Sequence, residues 1–187
     1  MQWTELSHIL VSVFTISLAF SMVFANTTDP AAFGGTFVGV VFTVGLGFIL
    51  HELAHRFVAK RYGAHATYRA WTMGLILAVI SSMFGFVFAA PGAVYIYGRK
   101  LTRDQDGKIA LSGAAANFLL ALAFIIGSSV FAGAKDLFAM GAHVNLFLGF
   151  FNLLPIFPMD GAKVYSWSRN IWAASFVLFT FLLFMAV

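Results

Sequence analysis

The sequence of 187 residues contains no cysteine and few charged residues. Without cysteine the chain can form neither a disulfide nor a thiolate metal site, and the redox state of its compartment leaves no trace in the sequence. Charged residues make up 10% of the chain, against about 25% in a typical soluble domain. Hydrophobic residues make up 61%. This composition excludes an ordinary soluble domain and predicts an integral membrane protein with several spans.

The few charges that the chain carries are unevenly placed. Eleven lysines and arginines against seven aspartates and glutamates give a net charge of +4. We interpret this charge as setting membrane orientation rather than as a nucleic-acid interface, because basic residues stand beside apolar segments. Lys60, Arg61 and Arg69 follow the second apolar segment, so that end of the segment is expected to be cytoplasmic. The sequence therefore predicts a multi-pass membrane protein with no nucleic-acid partner.

Apolar segments dominate the chain, and short turn-forming stretches such as residues 26–35 separate them. Six apolar segments predict an all-α polytopic membrane protein with about five full transmembrane helices plus a re-entrant hairpin. The first segment is followed by no small-residue cleavage site and is expected to be a retained helix. Residues 1–187 are expected to form a single transmembrane domain with its core at about residues 36–161. The predicted full spans are residues 6–25, 36–60, 109–131, 137–157 and 168–187.

The remaining apolar segment, residues 71–90, has basic residues on both flanks. Arg69 precedes it, and four basic residues follow it within residues 99–108. A single crossing would leave one of these basic flanks outside, against the positive-inside rule. We therefore expect a re-entrant hairpin that bends near residues 81–82 or at Gly85, shielded by protein or water rather than lipid.

The stretch after this hairpin, Pro91 to Gly98, contains β-branched residues that alternate with aromatic ones. This alternation predicts a short strand. A strand with a free edge can accept an extended peptide through backbone hydrogen bonds.

The second apolar segment contains the pentapeptide His51-Glu52-Leu53-Ala54-His55. Residues four apart lie on one face of an α-helix, so His51 and His55 can bind one metal ion together. Glu52 lies beside them, where a carboxylate suits proton transfer in a metalloprotease. The same pattern occurs by chance in soluble helices. Inside an apolar span, however, such residues are costly to bury, and we therefore interpret them as a zinc site.

Two histidines leave a catalytic zinc site incomplete, because such sites use three protein ligands. Asp160 lies at the cytoplasmic end of the returning span, at the expected depth of His51 and His55. His143 is the next choice, although it follows an outer turn. An aspartate that caps the following segment is the alternative interpretation of Asp160.

Together, the HELAH motif and the stretch NLLPIFPMDG, residues 152–161, resemble the site-2 protease family of intramembrane zinc metalloproteases. That family combines H-E-x-x-H with a distant N-x-x-P-x-x-x-x-D-G, and both patterns fit this sequence. The resemblance implies that His51, His55 and Asp160 bind one Zn²⁺ ion. It also implies that Glu52 is the catalytic base.

The same resemblance implies roles for two asparagines. Asn152 is expected near the substrate or the oxyanion, as a second catalytic residue beside the base. A family element of the form G-P-x-x-N reads Gly113-Ala-Ala-Ala-Asn117 here and lacks the proline, so Asn117 is either a substrate or oxyanion contact or a helix-packing amide. The chain resembles a minimal form of the family without a PDZ or CBS domain, and any regulatory protein is expected to be a separate chain.

The expected function is regulated intramembrane proteolysis. Water activated by zinc, with a glutamate as base, would hydrolyse peptide bonds of transmembrane protein substrates in the lipid bilayer, at a site toward the cytoplasmic side. One alternative is a catalytically silent zinc-binding scaffold, but a structural site needs no base such as Glu52. The other is a metal or ion transporter, although the sequence has no inverted repeat.

Overall fold

The computed structural model describes residues 3–25, 29–88 and 90–185. Within these ranges the chain is mostly helical and carries a small two-stranded sheet. In chain order, the elements are α1 (Trp3–Phe24), α2 (Pro30–Val40), a π-helix (Val41–Gly45), α3 (Leu46–Arg61), β1 (His65–Ala70), α4 (Thr72–Ser82), β2 (Gly92–Tyr97), α5 (Arg103–Val130), a 3₁₀ turn (Ala132–Ala134), α6 (Lys135–Asn152), α7 (Asp160–Trp167) and α8 (Arg169–Met185).

Three helical stretches in the described part of the chain are long and apolar enough to cross a membrane. These are Thr4–Phe24, Pro30–Arg61 and Arg103–Val130, and they lie where the first three full spans were predicted. The helices α6 and α8 occupy the positions of the fourth and fifth. By the same measure α8 is a shorter apolar helix and α6 does not qualify. The count of six apolar segments with five full spans therefore stays a prediction, and residues 186–187 of the last one lie outside the described residues.

The second of these stretches is a continuous helical rod from Pro30 to Arg61. Asp29 caps its start by accepting hydrogen bonds from the next helical amides, and proline at the first helical position needs no such bond. The turn predicted for residues 26–35 is therefore wrong from Pro30 onward; residues 26–28 lie outside the described residues. Within this rod, the turn directly before α3, Val41–Gly45, is π-helical.

The apolar segment that was predicted to re-enter the membrane does reverse its direction. The helix α4 has 11 residues, a length of about 16 Å at the α-helical rise, which is too short for a hydrocarbon core of about 30 Å. It ends at Ser82, and Gly85 then adopts a positive φ of 84°. The Trp71 amide donates to the Pro91 carbonyl at 2.9 Å, so the chain enters and leaves the hairpin at one point.

The predicted strand is present as β2, and it pairs with a strand that the sequence did not predict. The strands β1 and β2 are antiparallel, with His65 opposite Tyr97 and Ala70 opposite Gly92. The β1 sequence, HATYRA, directly follows a long helix and lacks an apolar run. Its extended form depends on the backbone of β2 as partner.

Two of the buried apolar clusters join most of the helices. One contains residues of α1, the helical rod, the sheet and α4, such as Ile16, Val44 and Tyr68. The other joins α5, α6 and α8, with Leu146 and Phe179 among its buried residues. Because α5 packs against α3, α6 and α7, it brings the HELAH helix and the start of α7 together.

Candidate metal centre

The two histidines of the HELAH motif lie one helical turn apart on the buried face of α3. Their ring centroids are 4.6 Å apart, and their Nε2 atoms both point at one carboxylate oxygen of Asp160. The distances to Asp160 Oδ2 are 3.2 Å from His51 and 2.9 Å from His55. One ligand atom from each of the three residues lies within 4.8 Å of the others. The structure thus brings together the three residues that the sequence predicted as metal ligands.

Asp160 does not cap the helix that follows it. The residue at the cap position of α7 is Met159, which makes no side-chain capping bond, and Asp160 is the first helical residue. The Asp160 carboxylate instead faces the histidine pair. His143, the other candidate ligand, is exposed on α6. The capping interpretation of Asp160 is therefore wrong.

Both imidazole rings form hydrogen bonds to α5 through the Nδ1 atom, on the side away from Asp160. His51 Nδ1 lies 2.6 Å from Asn117 Oδ1, and His55 Nδ1 lies 2.8 Å from the carbonyl oxygen of Ile109. Oxygen acceptors at these positions require a hydrogen on each Nδ1, which leaves the Nε2 lone pairs directed at Asp160. Three electron-rich atoms then face one point. A cation between them would relieve their mutual repulsion, and two nitrogens with one carboxylate oxygen form a donor set that suits zinc.

The surroundings of the histidines leave room for such an ion. Gly113 of α5 lies against the rings, and a Cβ built there would stand 2.6 Å from His51 Nε2. Any larger residue would therefore fill the space beside the ligand atoms. Glu52 is buried next to the pair, and its Oε2 atom has no hydrogen-bond partner among the described residues. The residues present thus fit a bound metal with a carboxylate beside it.

The two asparagines that the sequence singled out lie in different relations to this centre. Asn117 is buried behind His51, and its amide nitrogen donates to the carbonyl of Gly47 and to Asn145 Oδ1. These bonds suit a packing and positioning role for Asn117. Asn152 ends α6 and lines the space around the histidines, with an amide hydrogen donated to the carbonyl of Leu148 at 2.9 Å. Asn145 was missed, because no motif marks it and only its contact with Asn117 reveals it.

An open cleft of about 960 Å³ leads to the centre. His51 and Glu52 lie in its wall, together with the return of the hairpin, β2 and the end of α6. A smaller cavity of about 100 Å³ continues around His55 and Asp160. Within the described residues β2 pairs only with β1, and residues 92–96 line the cleft. The cleft therefore joins a strand edge, apolar side chains and the candidate metal ligands.

Comparison with known proteins identifies a family and several relatives of this chain. The model of peptidase family M50 matches residues 39–135 and 125–176. A protein of Methanocaldococcus jannaschii named "Putative zinc metalloprotease MJ0611" is 44% identical over 173 residues, which cover 90% of this chain and 87% of that protein. The "Putative zinc metalloprotease Rip2" of Mycolicibacterium smegmatis is 28% identical, with 82% of this chain and 66% of that protein covered.

A second Methanocaldococcus jannaschii protein, "Zinc metalloprotease MJ0392", is 30% identical over 62% of this chain and 30% of its own length. No solved structure matches the chain significantly. The family match covers most of the chain and includes both predicted motifs, and the first relative matches over nearly its whole length. The sequence resemblance is confirmed: this chain belongs to peptidase family M50, the site-2 protease family.

Proposed function

We propose that this protein is a zinc metalloendopeptidase of the site-2 protease type, which hydrolyses peptide bonds of transmembrane protein substrates. The family and its relatives support a zinc metalloprotease. The observation that carries the proposal is the convergence of His51, His55 and Asp160 beside the buried carboxylate of Glu52 at the inner end of a cleft. A binding site without catalysis has no need for that carboxylate.

His51 Nε2, His55 Nε2 and the Asp160 carboxylate would hold the zinc ion. When bound, zinc supplies Lewis acidity, which makes water nucleophilic near neutral pH and polarises a carbonyl group. The protein contributes a fixed donor set, because α5 orients both rings through their Nδ1 atoms.

Glu52 is the proposed base. Its carboxylate accepts a proton from the attacking water and then delivers that proton to the nitrogen of the leaving amine. Its position supports this role, since Oε2 has no competing partner among the described residues and Glu52 lines the cleft. Asn152 is the proposed donor to the oxyanion. It lines both the cleft and the smaller cavity, and an amide has a second hydrogen beyond the one given to Leu148.

The proposed substrate is a membrane-embedded segment that unwinds locally. An intact helix hides its carbonyl groups in hydrogen bonds, whereas an extended segment exposes them. The cleft suits such a segment, since apolar side chains including Ile16, Val44 and Phe48 line it beside the edge of β2. Backbone bonds to β2 would hold the segment extended at the metal centre.

We further propose that the centre opens toward the cytoplasm. Lys60 and Arg61 lie in the last turn of α3, and Arg99 and Arg103 are among the residues that line the cleft. Cytoplasmic ends of membrane segments are enriched in such residues. Residues 36–161 would then form the catalytic core within a single transmembrane domain.

The test is cleavage of a single-span substrate by the purified protein in lipid vesicles. Cleavage that a zinc chelator stops and Zn²⁺ restores would support the proposal. Stoichiometric zinc without cleavage of any substrate in a panel would favour the silent scaffold. Zinc movement across the vesicle membrane without cleavage would favour the transporter.

A further inference from the structure

Asn145 is a polar residue that is completely buried between helices. It lies on α6 against α5 and the π-helical turn, with none of its surface exposed. A buried amide is costly unless its hydrogen-bonding groups are satisfied. Its amide nitrogen donates to the carbonyl oxygens of Gly141 at 2.8 Å and Thr43 at 3.4 Å, and its Oδ1 accepts from Asn117 Nδ2 at 3.0 Å.

These bonds all run in one direction. A backbone carbonyl can only accept, so the amide nitrogen of Asn145 must face Gly141 and Thr43, and its oxygen must face Asn117. The amide nitrogen of Asn117 then points at Asn145 and at the carbonyl of Gly47. Asn117 Oδ1 is thereby turned toward His51 Nδ1 at 2.6 Å.

The direction of these hydrogen bonds, from Asn145 through Asn117 to His51, determines which nitrogen of His51 is free to bind a metal. An oxygen opposite Nδ1 requires a hydrogen there and leaves the lone pair on Nε2, which faces Asp160. If the amide of Asn117 were reversed, its NH₂ group would face Nδ1 and would favour the hydrogen on Nε2. His51 would then present a hydrogen, not a lone pair, toward Asp160.

Gly47 gives independent support for this arrangement. A Cβ at this position would collide with the side-chain oxygen of Asn145. Glycine weakens the interior of a helix. At position 47, however, it lets the side-chain amide of Asn145 on α6 lie against α3. The carbonyl oxygen of Gly47 also accepts a hydrogen bond from Asn117. The close approach of Asn145 to Gly47 therefore supports the hydrogen bonds between Asn145, Asn117 and His51.

We propose that Asn145 is a positioning residue of the metal centre, which acts through Asn117 to hold His51 in its metal-binding form. This inference rests on the proposed zinc function. The hydrogen bonds of Asn145 go to Asn117, Thr43 and Gly141, not to the three ligands or Glu52; its proposed effect therefore reaches the metal through the amide of Asn117.

The test measures zinc affinity of the purified full-length protein in detergent by competition with a chelator, and thermal unfolding of the zinc-free protein. Asn145→Leu should lower the affinity about tenfold or more, the usual loss when a residue that orients a metal ligand is removed. Gly47→Ala should lower it as well, because the added methyl group displaces the Asn145 amide. Leu146→Ala is the matched control: it removes a neighbouring buried side chain, and should lower thermal stability with unchanged zinc affinity.

A double-mutant cycle separates positioning from general disruption. Asn117→Ala alone should lower zinc affinity, and Asn145→Leu should add little in that background. Equal losses from Asn145→Leu with and without Asn117 would overturn the inference, as would wild-type affinity in Asn145→Leu. A wild-type protein that binds no stoichiometric zinc would overturn the proposed function and this inference together. If the wild-type protein binds zinc and Asn145→Leu binds it with the same affinity, the inference about Asn145 is overturned and the proposed function stands.

Discussion

His51 Nε2 lies 3.2 Å from Asp160 Oδ2, although the two residues are 109 positions apart in the chain. The contact joins the middle of a long helix to the first residue of a short one. The same oxygen also meets His55. The two sequence motifs therefore converge on one atom, and this convergence is the basis of the predictions that follow.

Glu52→Gln should retain zinc and lose peptide cleavage, because the carboxylate serves as base and not as ligand. General base catalysis contributes about 10²–10⁴-fold to a rate, so we expect a loss of at least about 100-fold. Cleavage is measured in vesicles and zinc by elemental analysis on the same preparation. A variant that cleaves at a wild-type rate would remove Glu52 from this role.

Asp160→Asn should lower both zinc occupancy and cleavage, and His51→Ala and His55→Ala should do the same. Each change removes one of the three atoms that surround the candidate site. Asp136→Asn, at an exposed aspartate far from the motif helix in sequence, is the control and should leave both quantities unchanged. Full occupancy in Asp160→Asn would show that another group completes the site.

Gly113→Ala should abolish zinc binding, since its methyl group would enter the space beside the His51 and His55 rings. Gly133→Ala is a matched control, because a Cβ there meets nothing within 4 Å. Zinc affinity and thermal unfolding are measured for both variants. Normal zinc binding by a folded Gly113→Ala protein would mean that the ion occupies a different position.

Arg69→Cys and Arg103→Cys, made singly in this chain without cysteine, should react with an impermeant thiol reagent from the same side of the membrane. The expectation follows from the hydrogen bond of Trp71 to Pro91, which closes the hairpin between them. Labelling is measured in sealed vesicles of known orientation. Reaction from opposite sides would show that the segment crosses the membrane once.

Glu5→Gln should destabilise the protein. Glu5 is buried, pairs with Arg56 at 3.1 Å and accepts from the amide of Tyr68, and removal of one partner of a buried ion pair costs about 3–5 kcal/mol. The exposed pair of Asp104 and Lys108 provides the control, because solvent screens an exposed ion pair and Asp104→Asn should leave stability nearly unchanged. Thermal unfolding in detergent compares the two variants. Equal thermal stabilities of the two variants would show that the buried pair of Glu5 and Arg56 contributes no more to stability than the exposed pair.

Local patterns in the sequence were sufficient for the parts of the site that lie on one element. The spacing of His51 and His55 places both on one face of a helix wherever that helix packs, because α-helical geometry repeats every 3.6 residues. Apolar length likewise indicated three of the helices, and alternation indicated β2. The turn expected at residues 26–35 failed because a capping aspartate and a proline start a helix at Pro30 despite the glycines that follow.

Tertiary packing decided what depended on partners far apart in the chain. The sequence left Asp160 open between ligand and cap, and left Asn117 open between substrate contact and packing amide; the approach of α7 and α6 to α5 determines both surroundings. β1 and Asn145 carried no local signal, since a strand without an apolar run and a buried amide each depend on a distant hydrogen-bond partner. The sequence by itself determined the chemistry that is available, because residue type and helical spacing are local. Only the tertiary structure decided which ligand atoms face the candidate metal site, because the direction of each hydrogen bond is set by groups that folding brings together.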